Sequence, residues 1–160
     1  MATQIIIDGY NFMWQANPFR DEAIGNLESG RNEVLKWVSQ TPRLREYDVS
    51  IVFDAHHTEA SHPTLTSHGF IRIIFSQGGQ TADDLIREMA CQSGPAAIVV
   101  TSDKEVARYA ERKGCGVLGS REFQMVMDRP DEIHTDQAHK LPKGKRRALM
   151  KLLRFPESKE

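Results

Sequence analysis

At 160 residues, 39% apolar and 27% charged, the chain has the size and composition of one soluble globular domain with its own core. This leaves no room for a second catalytic domain, and the apolar runs are far too short to cross a bilayer. The formal charge of −1 hides an asymmetry: residues 140–154 carry seven Lys/Arg and no acid, whereas residues 1–139 carry 13 Lys/Arg against 20 Asp/Glu. An acidic body with a basic tail predicts a polyanion partner, the plainer alternative being a solvated basic helix. Cys91 and Cys115 have no CxxC spacing, and no basic, then apolar leader precedes the first strand, so a reducing cytoplasm is the expected compartment.

The elements alternate along the chain. Gln4–Asp8 (QIIID) reads as a strand buried on both faces, since its β-branched run is unbroken. Leu27, Val34, Leu35 and Val38 recur at helical spacing up to about Gln40, with Trp37 on the apolar part and Pro42 beyond the end. VSIVFDA (49–55) is a second strand, followed by a polar loop, and FIRIIFS (70–76) is a third. Thr81 opens a helix, because TADD sets Asp84 three residues after a threonine cap. PAAIVVTSD (95–103) is a fourth strand, KEVARYAERK a helix closed by Gly114, CGVLG a short fifth strand, and SREFQMVM a helix beginning on Ser120. Strands alternating with helices predict an α/β domain with a mainly parallel central sheet of about five strands.

On that frame the acids converge. Asp8, Asp54 and Asp103 each end a strand, and Asp83 and Asp84 lie in the first turn of a helix that starts at the same edge. Singly, each has an ordinary explanation: Asp83 and Asp84 suit a helix dipole, Asp103 suits a cap, Asp54 a strand end. Together they are like charges at one rim, the edge where open α/β sheets bind ligands, and such a group stays ionised at a cost unless a cation offsets it. Carboxylate oxygens without thiolates or an ordered imidazole set favour Mg2+ or Mn2+, which leave positions for water and phosphate oxygens and promote phosphodiester hydrolysis. Asn11, three residues after Asp8, then reads as a neutral amide that positions a carboxylate, water or phosphate, and Gly9 as the point where the backbone leaves the strand sharply.

In this order and at these separations, DGYN (8–11), FDAH (53–56), TADD (81–84) and TSD (101–103) resemble the YacP-like branch of the NYN family, relatives of the PIN-domain ribonucleases. The resemblance implies a PIN-like three-layer α/β/α sandwich over residues 1–139 and metal-dependent endonucleolytic cleavage of RNA. It assigns Asp8, Asp83 and Asp103 to a Mg2+ or Mn2+ site, with Asn11 among the catalytic residues and Asp84 and Ser102 as polar neighbours. Asp54 is expected to hold the rim together. One position departs from the pattern: many relatives carry a further acid a helical turn beyond the residue matching Asp103, where this chain has Ala107, so one held cation and two stand as equal alternatives.

Residues 140–160 are expected to form a basic C-terminal helix or tail, docked on or extending the same domain. Lys143, Lys145, Arg146 and Arg147 are its candidate RNA-binding residues, with RNA as the expected partner, the ribosome as a further candidate, and no membrane. The histidines at 56, 57, 62 and 68 lack the partners and spacing of a zinc site, leaving RNA contact by His56 and His57 beside plain solvation. GGQ (78–80) shares three letters with the peptide-release loop of translation termination factors but reads better as a turn into the Thr81 helix. Trp14 and Phe19 are weighed between base stacking and packing. The rival functions are a non-catalytic RNA- or ribosome-binding module and a phosphatase or nucleotide-binding protein, the latter without DxD or GxGxxG after the first strand.

Overall fold

The structure, a computed structural model, describes residues 2–55, 64–133 and 138–153. The chain runs β1 (Gln4–Asp8), α1 (Gly9–Gln15), α2 (Phe19–Gly25), α3 (Leu27–Ser39), β2 (Asp48–Phe53), β3 (Thr64–His68) and β4 (Ile71–Phe75). It continues through α4 (Ala82–Ser93), β5 (Ala97–Val100), α5 (Lys104–Arg112), β6 (Gly116–Leu118), α6 (Ser120–Asp128) and α7 (Lys143–Leu153). One six-stranded sheet in the order β3-β4-β2-β1-β5-β6 holds these together, parallel throughout except for β3 against β4.

Ile5, Ile6 and Ile7 are completely buried at the centre of this sheet. Ile5 and Ile7 pack into one core, with Phe12, Val34, Val38 and Phe123, and Ile6 into the other, with Ile86, Val99 and Val106. The unbroken run thus serves two helical layers, α1, α2, α3 and α6 on one side and α4 and α5 on the other, which makes the three-layer sandwich.

The sheet exceeds the expected strand number by its edge. β3 lies in the stretch read as a polar loop; it pairs on one side only, Leu65 is largely exposed, and Gly69, at φ 61°, turns the chain into β4. An edge strand half in water needs no apolar run, so TLTSH gives no periodic signal. His68 ends this strand, while His56, His57 and His62 lie outside the described residues. α1 and α2, seven residues each, fill a stretch to which the sequence reading assigned no element.

Phe12, Phe19, Trp37 and Phe123 stack into one aromatic cluster with ring centroids 5.3 to 6.1 Å apart, joining α1, α2, α3 and α6. Phe19 is therefore packing, not a platform for a base. Gly9 is required by close approach: a Cβ there would stand 2.4 Å from Cε1 of Phe53 and 2.9 Å from the Val52 carbonyl oxygen. Gly9→Ala is expected to lower stability by about 1–3 kcal/mol through overpacking. A thermal melt at the wild-type midpoint would contradict this.

α7 lies against the edge strand β6, with Ala148, Leu149 and Leu152 in the larger core. Gly116 makes the approach possible, since a Cβ on it would come within 2.8 Å of the Ala148 backbone. Among the described residues no helix is long and apolar enough to cross a membrane.

Candidate active site

The sheet order reverses at β1: the chain moves outward to β2 and β4, then crosses the opposite face to β5 and β6. At such a switch point the loops leaving adjacent strands part and open a crevice at the carboxyl edge. Here the crevice is a cleft of about 390 Å3 lined by Asp8, Asp54, Asp83 and Asp103, with Tyr10, Asn11 and Trp14 on its α1 side. Each carboxylate comes from a different element boundary: the end of β1, the exit of β2, the first turn of α4 and the N-cap of α5.

Asp8 is only 7% exposed. Burial pushes its carboxyl up from the usual 3.8 to about 6, against the pull of the hydrogen bond donated by Thr101 and with a further push from Asp83. Asp83 is also raised, first by burial and then by the charge of Asp103. The acids therefore interact through their charges across one cleft. Among the described residues no three or more His, Cys, Asp or Glu side chains close on a common point as a metal site. The donor chemistry nonetheless suits a hard cation, since the titratable groups lining the cleft, apart from Tyr10, are all carboxylates.

The hydrogen bonds show how the rim is held. Thr101 Oγ1 donates to Asp8 Oδ2 at 2.9 Å and accepts from the Asp103 N–H at 3.1 Å, linking the ends of β1 and β5. Asn11 Oδ1 accepts from the Ser102 N–H and from Ser120 Oγ, both at 2.8 Å, and Ser102 Oγ accepts from the Ser120 N–H at 3.2 Å. Asn11 thereby ties α1 to the loops before α5 and α6. Thr101 and Ser120 carry this scaffold, yet neither was singled out as a site residue. The one available signal was a hydroxyl placed directly before Ser102 and Asp103 where a buried strand ends.

The remaining assignments divide. Asp103 Oδ1 caps α5 by accepting from the Glu105 and Val106 N–H groups, so it lines the cleft and starts the helix at once. Asp84 is exposed, and its carboxylate accepts from the Thr81 N–H in a capping box; it sets the start of the helix that presents Asp83. Asp54 Oδ1 accepts from Ser76 Oγ at 3.3 Å, and that hydroxyl also accepts from the Ala55 N–H. Glu105 faces Arg87 at 4.0 Å, away from the position of Ala107. Trp14 is 38% exposed beside the carboxylates. Of the four tail cations, Lys143 and Arg147 line a separate cleft with α5, and Lys145 pairs with Glu122, whose other carboxylate oxygen accepts from the Gly119 N–H.

Comparison with known proteins agrees with this architecture. The crystal structure of a mutant form of Rae1 (YacP) from Bacillus subtilis superposes with a TM-score of 0.66 at 20% identity, covering 97% of this chain and 93% of that one. A second crystal structure of Rae1 (YacP) from Bacillus subtilis gives 0.57 at 23% identity over 85% and 79% of the two chains. No curated protein matches the chain. The model of the YacP-like NYN domain matches residues 5–157, from the first buried isoleucine to beyond α7. The chain thus belongs to the YacP-like NYN domain family and carries a PIN-like nuclease domain.

Proposed function

We propose that this protein is a cytoplasmic endoribonuclease that hydrolyses RNA phosphodiester bonds with the help of Mg2+ or Mn2+. The observation that carries the reading is the cleft itself, four carboxylates from four element boundaries meeting at the switch point, one of them buried and pushed up to about 6. Asp8, Asp83 and Asp103 would hold the cation, which supplies Lewis acidity and charge neutralisation at the scissile phosphate. Asp54 and Asp84 fix the rim and the helix start. Both lone pairs of Asn11 Oδ1 are engaged by Ser102 and Ser120, so this side chain acts on a water or phosphate oxygen as a donor, through its amide nitrogen. RNA is the partner, and the ribosome is a setting in which it would be met.

The direct test is end-labelled total cellular RNA incubated with the full chain in Mg2+ or Mn2+ and, in parallel, in EDTA. Discrete fragments that need the metal are expected. Intact RNA in every lane would favour the second reading, a binding module, which Ala107 in place of an acid and the absence of a closed three-ligand cluster among the described residues support. Metal affinity should itself depend on pH, because Asp8 must lose its proton to bind. Calorimetric titration with Mn2+ should show binding about tenfold weaker at pH 5 than at pH 7, as expected for a group titrating near 6. Equal affinity at both would remove Asp8 from the site.

A further inference from the structure

A second cleft, also of about 390 Å3, lies between α5 and α7 and is lined by Arg108, Glu111, Arg112, Lys143 and Arg147. The four cations come in two pairs, Arg108 with Arg112 and Lys143 with Arg147. Each pair is spaced four residues apart on its own helix and so lies on one face. The single acid is turned to structure: Glu111 Oε1 accepts from the Gly144 N–H at 3.4 Å, and its carbonyl oxygen accepts from the Arg147 guanidinium at 3.3 Å. Two facing rows of cations with one engaged carboxylate form a trough of positive potential on a protein whose body is acidic.

We propose that this trough seats the sugar–phosphate backbone of the RNA strand whose cleavage the acidic cleft carries out, a step that rests on the nuclease reading above. α5 starts at the acidic rim, where Asp103 caps it. At a rise of 1.5 Å per residue, Arg108 and Arg112 stand about 8 and 14 Å from that rim along the helix axis. A strand in the trough therefore runs away from the carboxylates beside α5, and the cations offset the repulsion that an acidic rim alone exerts on RNA. The contact is with phosphates, not bases: Tyr109, the aromatic residue of α5, is already covered by Arg87, Arg112 and Lys113, each 5.4 to 5.9 Å from its ring. Guanidinium groups supply planar donor forks suited to phosphate oxygens. A membrane is the poorer occupant, because the cations line a concavity and Leu149 and Leu152 of α7 are buried in the core, leaving no apolar face to insert. Lys145, paired with Glu122, stands outside the trough.

The test measures binding, independently of cleavage: fluorescence anisotropy with short labelled single-stranded RNAs of two unrelated sequences, in EDTA, across a salt series. The Arg108→Ala/Arg112→Ala variant should lose about tenfold in affinity at low salt, equally for both sequences, and its salt slope should be shallower by about 1.4, the value for two phosphate contacts on a single strand. Both residues are exposed, so the variant should keep the wild-type melting temperature, and Arg108→Lys/Arg112→Lys should restore most of the affinity. Arg20→Ala/Arg45→Ala, which removes two exposed cations elsewhere, should leave the slope unchanged. Wild-type affinity and slope in the Arg108→Ala/Arg112→Ala variant would overturn the proposal, as would a loss for one sequence alone, or binding to phosphatidylserine vesicles without binding to RNA. If the wild type binds RNA through these residues yet cleaves none, the trough stands and the nuclease reading falls. If it cleaves RNA with metal while the variant binds normally, the reverse holds.

Discussion

Replacing Asp8 by asparagine is expected to abolish RNA cleavage and, in the same protein, to raise stability. The loss should be at least a thousandfold, roughly the 4 kcal/mol of transition-state charge stabilisation that a misplaced or absent catalytic cation forfeits. The gain follows from burial. In wild type the Asp8 carboxyl titrates near 6 rather than 3.8, so the folded state binds this proton more tightly than the unfolded state. Relative to a neutral side chain, the stability contributed by this site is fully present below 3.8 and is lost as pH rises through 6, up to about 3 kcal/mol. Asparagine carries no charge to bury, and its carbonyl oxygen can still accept the Thr101 hydroxyl. Urea melts in EDTA should show the variant more stable at pH 7.5, with the gap closing as pH falls toward 3.8. A variant that cleaves at the wild-type rate, or one that is less stable at pH 7.5, would remove Asp8 from the role assigned to it. A charged residue kept at a buried site despite its cost is what a trade of stability for activity looks like.

The second large effect concerns α7. Leu149→Ala/Leu152→Ala is expected to cost about 4–8 kcal/mol, since each leucine is almost wholly buried and each truncation leaves a cavity against β6 and its neighbours. That is a large part of the stability of an ordinary domain. Equilibrium unfolding in urea should therefore find the double variant marginal or unfolded at 25 °C. A small loss, with the slope of the transition unchanged, would mean that α7 is an appendage the core does without. Because the same helix supplies Lys143 and Arg147 to the basic trough, partial undocking would also weaken RNA binding without touching a cation.

Much of the architecture was legible because the signals are local. Three isoleucines in a row announce a strand buried on both sides, TADD a capped helix, and Gly114, at φ 89°, the end of α5. β3 escaped because an edge strand needs no apolar face, and α1 because seven residues are too few for a helical period to show. For the site, the positions of Asp8, Asp54, Asp83 and Asp103 at one rim were readable from alternation alone. Their supports were not: Thr101 bridges residues 95 apart in the chain, and Asn11 spends its carbonyl oxygen on loops more than 90 residues away.

The sequence by itself determined the α/β class, the rim on which the acids gather and the basic character of the C-terminal segment, since each follows from periodicity, caps or charge counted along the chain. Only the tertiary structure decided that Asp8 is buried enough to titrate near 6, that Lys145 is paired while Lys143 and Arg147 join Arg108 and Arg112, and that the C-terminal helix is part of the core. Burial and charge pairing are properties of groups distant in sequence and close in space. They exist only once the sheet has set its strand order and the helices have found their faces.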